Sequence, residues 1–342
     1  MGKRVEYMDA AKGIGILAVV IAHIDIDMLH GKNLFDIALY TFHLPLFFLI
    51  SGYFFSCRGD FKSFALKKSR AYLIPYAFAA VVITVFELFA QCVISHRPIL
   101  EVGSYLLGGF IMQRRFTTLW FLAALFVSEL VFWALIRLLG DNARRLLAAC
   151  AALGTLGILY NEFVRVFLPW NLDVVPVILL YLAIGYTCRK RNVMTMLIEH
   201  RGRNMIVAVA ASVACSLINY RLCGEPYEMF AGQYGVFPLT IMAACCGSVA
   251  VILFMSLVRC RPLNWLGRNT MVFFMFHQSI AMPVAIKVLA VPPFSVSSSL
   301  VGRFVTFLIV MSICCMIHAV VVLSHCGALI GRTNTRAVGR HR

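Results

Sequence analysis

The stretch "KGIGILAVVIAH", Lys12 to His23, carries a basic residue at one end, a histidine at the other and no polar side chain between them. On an α-helix its eleven steps turn through ~1100°, three full turns and ~20° more, and rise ~16 Å. Lys12 and His23 therefore share one face. If that helix crosses a bilayer whose hydrocarbon core is ~30 Å thick, with Lys12 at one surface, His23 sits near the middle. The rest of the chain decides whether it does.

Of the 342 residues 61% are hydrophobic and 13% charged, with a mean hydropathy of +0.86. Soluble globular chains are about half apolar and a quarter charged, so this is a polytopic, all-α membrane protein. Ten spans are predicted, at roughly 13–30, 34–55, 72–94, 117–139, 146–168, 171–188, 204–221, 234–258, 270–290 and 301–324. Lys3 and Arg4 precede the first span as in a signal peptide. No small-x-small cleavage site follows His23, so the segment is expected to stay as a signal-anchor helix. The stretch "VGSYLLGGFIM" before the fourth span is too short to cross and is expected to be re-entrant or interfacial.

The net charge is +16, and its position matters more than its size. With the N-terminus inside, the cytoplasmic segments hold 23 of the 31 basic residues, which with an even number of spans puts both termini in the cytoplasm. The charge is topological, and nucleic acid is excluded as a partner. Residues 1–331 read as one membrane domain without linker or internal repeat, and 332–342, "RTNTRAVGRHR", as a basic cytoplasmic tail suited to acidic lipid head groups. Most of the twelve cysteines lie inside apolar runs, where a thiol serves as a small hydrophobe. No Cys/His spacing resembles a metal site, and no metal is expected.

Ionisable residues at membrane depth are costly and mark functional sites. His23, His43, Glu87, Glu129 and His277 are such residues, and His43, well inside the second span, matches His23 in depth. His318 falls near the cytoplasmic end of the tenth span. In "KKSRAYLIPY" Lys67 and Arg70 stand at i and i+3, neighbours on a helix at the cytoplasmic surface, where they suit phosphates as well as positive-inside charge. In "LPLFFLISGYFF" Pro45 removes a helix hydrogen bond, while Ser51 and Gly52 admit a close neighbour. Outside, Arg97, Arg114 and Arg115 precede "TTLWFLAALF", and Trp170, Asn171 and Asp173 join the fifth and sixth spans. Taken singly, Trp120 and Trp170 read as interfacial belt.

Together these motifs resemble the acyltransferase 3 family of bacterial membrane proteins. "YMDAAKGIGILAVVIAH" is similar to the family's basic residue, ten spacers and histidine, and "FHLPLFFLISGYFF" to its FFxxSG segment at Phe47, Phe48, Ser51 and Gly52. "KKSRAYLIPY" resembles its R-x-x-R element, with Lys67 in place of the first arginine, and "LWFLAALF" its WF element. "NTMVFFMFHQ" looks like the ninth span of the fucose O-acetylase-like branch. No fused SGNH-type domain of the kind some relatives carry is expected, so acceptor handling is expected to fall to the membrane domain.

The resemblance implies an O-acetyltransferase of the bacterial cytoplasmic membrane, moving an acyl group, usually acetyl, from cytoplasmic acyl-CoA to a surface glycan or lipid-linked sugar. A neutral imidazole suits the abstraction of a hydroxyl proton, so His23 is the expected general base. Lys12, Lys67 and Arg70 would hold the phosphates of acetyl-CoA. Ser51 or His43 would donate to the oxyanion, and Asp27, at i+4 from His23 and better placed than Asp25, would orient the imidazole or meet the acceptor. Arg114, Arg115, Trp120, Asp173 and His277 are the expected acceptor-side residues. A proton-coupled carrier and a non-catalytic scaffold of a glycan assembly complex are the rival readings.

The charge bias predicts that reporter fusions at Arg342 and near Arg97 give opposite sidedness. Equal sidedness would remove the ten-span topology.

Overall fold

The computed structural model describes residues 5–28, 34–112, 117–224, 227–290 and 300–331. The helices are α1 (Glu6–Met28), α2 (Leu34–Tyr53), α3 (Phe61–Lys68), α4 (Ile74–Leu88) and α5 (Ile99–Met112). They continue with α6 (Trp120–Leu139), α7 (Ala143–Phe163), α8 (Val175–Lys190), α9 (Val193–Glu199) and α10 (Arg201–Cys223). The last are α11 (Phe237–Leu257), α12 (Arg261–Arg268), α13 (Thr270–Phe276), α14 (Met282–Leu289) and α15 (Leu300–Leu323). Among the described residues there is no β-strand, only an isolated bridge between Glu228 and Gln233.

Nine helical stretches among these residues are long and apolar enough to cross a membrane. The apolar part of α2, Ile37–Tyr53, falls just short of that length, yet its 20 residues would rise ~30 Å, one hydrocarbon thickness. The chain is an all-α polytopic membrane protein. The first helix starts at Glu6 rather than near 13, because Glu6 and Asp9 in its first turn complement the positive end of the helix dipole. Helix α5 is a separate element, at 14 residues too short to cross upright. The short helices α9 and α12 were not expected from hydropathy, since neither has the length of a span.

The chain divides into two compact units built from interleaved stretches. The first comprises Met1–Arg58, Val127–Leu168 and Leu172–Thr270. At its centre lies α8, "VPVILLYLAIGYTCRK", apolar on every face until its last turn, as a fully enclosed helix must be. In it and the residues leading into it 78% of the span is buried, against 67% in α1 and 28% in α10. Glycines bring α2 and α8 together. A Cβ on Gly52 would stand 2.1 Å from the carbonyl oxygen of Leu182, and one on Gly185 2.1 Å from that of Leu49. The small residues of the FFxxSG-like segment therefore serve a helix crossing, in which backbone touches backbone. The segment before α11 folds back into the same unit: Tyr227, Met229 and Tyr234 are buried. The Tyr181 and Tyr227 hydroxyls meet at 3.0 Å, and the Asn219 side-chain oxygen accepts from the Val236 amide at 2.8 Å.

The second unit comprises Gly59–Phe126, Pro169–Asn171 and Met271–Arg342. Its first helix runs without a break from Phe61 to Ile94 and contains two π-turns, Ser69–Leu73 and Phe89–Ile94. A third π-turn, His277–Ala281, joins α13 to α14. Two of the three end just before an X-Pro pair, Ile74-Pro75 and Met282-Pro283. Proline has no N–H and its ring crowds the carbonyl four residues back, so widening that turn by one residue relieves the clash. Arg70 lies in the Ser69–Leu73 turn, and Lys68 and Ser69 between it and Lys67 keep right-handed helical backbone angles.

Gly52→Ala and Gly185→Ala must push α2 and α8 apart, because the opposing atoms are backbone and cannot rotate away. Overpacking of this kind costs ~1–3 kcal/mol, so each should lower the thermal midpoint in detergent by about 1–4 °C. Gly103→Ala, where a Cβ would meet nothing within 4 Å, is the control. Midpoints equal to the control would refute the close crossing.

Candidate active site

In the first unit α1 and α2 lie antiparallel. The Tyr40 hydroxyl donates to the carbonyl of Ala22 at 3.4 Å, Gly15 faces Leu46 and Phe47, and Met8, Ala11, Leu46 and Ile50 share one apolar cluster. This register brings the His43 ring to the level of the His23 ring. His23 is half-buried and His43 only 3% exposed, with the Tyr40 ring edge-on to it at 5.1 Å.

Both histidines are held in the same way. His23 Nδ1 lies 2.8 Å from the Val19 carbonyl oxygen and His43 Nδ1 2.8 Å from that of Leu39. A carbonyl can only accept, so in each neutral ring Nδ1 carries the proton and Nε2 the lone pair. Two bases thus stand at one depth of the bundle. Neutral His43 has no second N–H to give, and Ser51, eight residues further along α2, is ~12 Å from it by helix rise, level with the Ala11–Lys12 turn. Asp27 lies in the last turn of α1, but its side chain, like that of Asp25, is outside the described residues.

At the other end of α1, Lys12 is committed to a partner that the sequence reading missed. Its Nζ lies 2.8 Å from Asp9 Oδ1, and Arg268 Nε lies 3.3 Å from Asp9 Oδ2. Asp9 is buried, and a buried carboxylate needs such pairing. The approach is close: a Cβ on Gly267 would overlap the Asp9 carbonyl oxygen at 1.6 Å, and one on Gly13 would stand 2.4 Å from that of Leu263. Helix α12 is thereby locked to α1, and Arg268 joins Lys12 at this end. The "DAAK" spacing, an acid three residues before the base, was the available signal.

In the second unit Lys67 and Arg70 are both exposed. Arg70 and Ser69 are the polar residues of a mostly apolar groove of about 630 Å³ that includes Leu66, Leu73, Ile74, Phe78 and Leu329. Lys68 between them is turned to the rings of Phe64 and Tyr72, at 5.6 and 5.5 Å. His277 is fully buried in its π-turn, with Nδ1 2.8 Å from the Phe273 carbonyl oxygen and 3.1 Å from that of Phe274. Trp120 is packed inside, its carbonyl accepting from the Asn171 side chain at 3.3 Å, so it is no interfacial belt residue; Trp170, 39% exposed, remains at the surface. Arg114 and Arg115 lie outside the described residues. In the first unit Asp173 is buried: its Oδ1 accepts from the Leu168 amide at 3.3 Å and its carbonyl from Asn161 at 2.9 Å.

The acyltransferase 3 family model, described as an acyltransferase domain, matches residues 5–320. The chain belongs to the acyltransferase 3 family. It is accordingly a multi-pass membrane acyltransferase, and the match runs from the first turn of α1 into the last turn of α15, across both units. No curated protein and no solved structure gives a match to it. Within this acyltransferase 3 chain the residues of the Lys12 to His23 element lie on one unbroken helix, with the paired histidines at one level and the Asp9 clamp at another.

Asp9→Ala would leave Lys12 and Arg268 without their shared counter-charge. Its loss of thermal stability should exceed that of Arg268→Ala, whose side chain is 40% exposed and screened by water to the ~1 kcal/mol of a surface pair. Equal midpoints for the two variants would refute the clamp.

Proposed function

We propose that the protein transfers an acyl group, acetyl in the simplest case, from cytoplasmic acyl-CoA to a hydroxyl of an extracytoplasmic or lipid-linked glycan. The observation that carries this reading is the His23 and His43 pair on antiparallel helices of a membrane acyltransferase, each ring with Nδ1 held on the carbonyl one turn back. A hydroxyl is a poor nucleophile until a base takes its proton. His23 is the base, because it is the less enclosed of the two rings. Its Nδ1–H stays on the Val19 carbonyl before and after Nε2 gains the proton, so the ring need not turn. The hydroxyl has one proton to give and gives it to His23; His43, the more enclosed ring, lines the site beside it.

Acyl-CoA supplies an activated thioester and carries phosphates on a long flexible arm. Exposed Lys67 and Arg70, the latter beside an apolar groove, suit such a molecule. In the first unit Lys12, which with Arg268 flanks Asp9, is the further basic residue that suits an anionic donor.

General base catalysis is worth ~10² to 10⁴ in rate, so His23→Ala should lose that much transfer of labelled acetyl from acetyl-CoA to surface glycan, measured as base-labile ester. Lys67→Gln with Arg70→Gln should instead raise the apparent KM for acetyl-CoA and leave acceptor preference alone. A well-expressed His23→Ala protein with full transfer activity would overturn the assignment.

A further inference from the structure

A polar concavity lies in the second unit, at residues of which only Glu87 and Arg97 have appeared above. After α4 the π-turn Phe89–Ile94 and a tight corner fold the chain back: the Arg97 amide donates to the Gln91 carbonyl at 2.9 Å, and His96 takes a left-handed φ of 53°. Helix α5 then packs against α4, and the two enclose a pocket of about 470 Å³ whose polar lining is Glu87, Gln91, Arg97, Glu101, Ser104 and Tyr105. That volume is within the ~300–1000 Å³ of small-molecule sites.

We infer that this pocket binds a sugar unit of a neutral glycan, a reading that rests on the proposed acyl transfer to glycans. Its chemistry is that of a polyol site. Arg97 is paired with Glu101, so one carboxylate charge, that of Glu87, remains in excess and disfavours anionic ligands. Glu87 is half-buried in a segment of mean hydropathy 2.2. Among the described residues its hydrogen bond is a long one, 3.4 Å from Gln91 Nε2, so both side chains keep capacity for hydroxyl groups. Tyr105, 69% exposed, offers a ring face for the apolar side of a pyranose. Ile99, Leu100 and Leu107 of α5 are apolar and exposed, so its polar groups are concentrated at the pocket. Position agrees as well: Glu87 follows Arg70 by 17 residues on one continuous helix, ~25 Å of rise, which sets the pocket at the opposite membrane surface from the donor-binding arginine.

The test uses purified full-length protein in nanodiscs, with neutral oligosaccharides released from the surface glycans of the producing cells as the probe. Saturation-transfer NMR should show them bound to the wild type, about tenfold more weakly to Tyr105→Ala and to Glu87→Gln, and unchanged in the Lys67→Gln, Arg70→Gln double variant. The Tyr105 side chain is mostly exposed, so its truncation leaves the packing intact. In transfer assays the two pocket variants should need more acceptor at an unchanged apparent KM for acetyl-CoA. Equal binding by wild type and both variants, or equal binding of a sulfated oligosaccharide, would overturn the pocket. Loss of transfer in His23→Ala with unaltered acceptor dependence in the pocket variants would sink this inference and leave the proposed function standing. Oligosaccharide binding sensitive to Tyr105 without any transfer from acetyl-CoA would do the reverse.

Discussion

A histidine inside an apolar helix has one acceptor that needs no water, the carbonyl a turn behind it. His23, His43 and His277 all take it through Nδ1. In water this bond would be weak and exchangeable; in a span, where an unsatisfied polar group is expensive, it decides the tautomer. The tautomer in turn decides the chemistry. Each neutral ring can accept a proton at Nε2, and none can donate from it. Two such rings at one level make a proton-accepting site, which fits a hydroxyl nucleophile better than it fits stabilisation of a developing anion.

The helices that carry these rings are held by backbone contact more than by side-chain bulk. Gly13 and Gly267 bring α12 onto α1, and Gly52 and Gly185 bring α2 onto α8. Lipid tails are as apolar as leucine, so burial alone gives helices little reason to associate within the bilayer, and close van der Waals approach with interhelical polar pairs takes its place. The Asp9 clamp adds the polar element where α12 meets α1. Its chain separation of 259 residues ties the first helix to a short segment just ahead of α13.

The second unit bends its backbone instead. The π-turns before Pro75 and Pro283 each absorb a proline, and the third opens the corner that shapes the pocket between α4 and α5. One of them carries His277 and another Arg70, so a helix irregularity and a functional candidate coincide twice. A widened turn re-aims the side chains within it, which regular helical spacing does not anticipate.

What the sequence alone determined was local and periodic. Composition set the all-α membrane class, eleven helical steps put Lys12 and His23 on one face, and Glu87 and the histidines stood out because ionisable groups are rare in apolar spans. Only the tertiary structure decided which groups meet. The Asp9–Arg268 pair and the gathering of Glu87 with Glu101 and Tyr105 depend on register between helices, and register comes from glycine contacts and loop geometry that leave little pattern in the chain. Interleaving hid the two units for the same reason: each is assembled from distant stretches, so no linker marks the boundary between them.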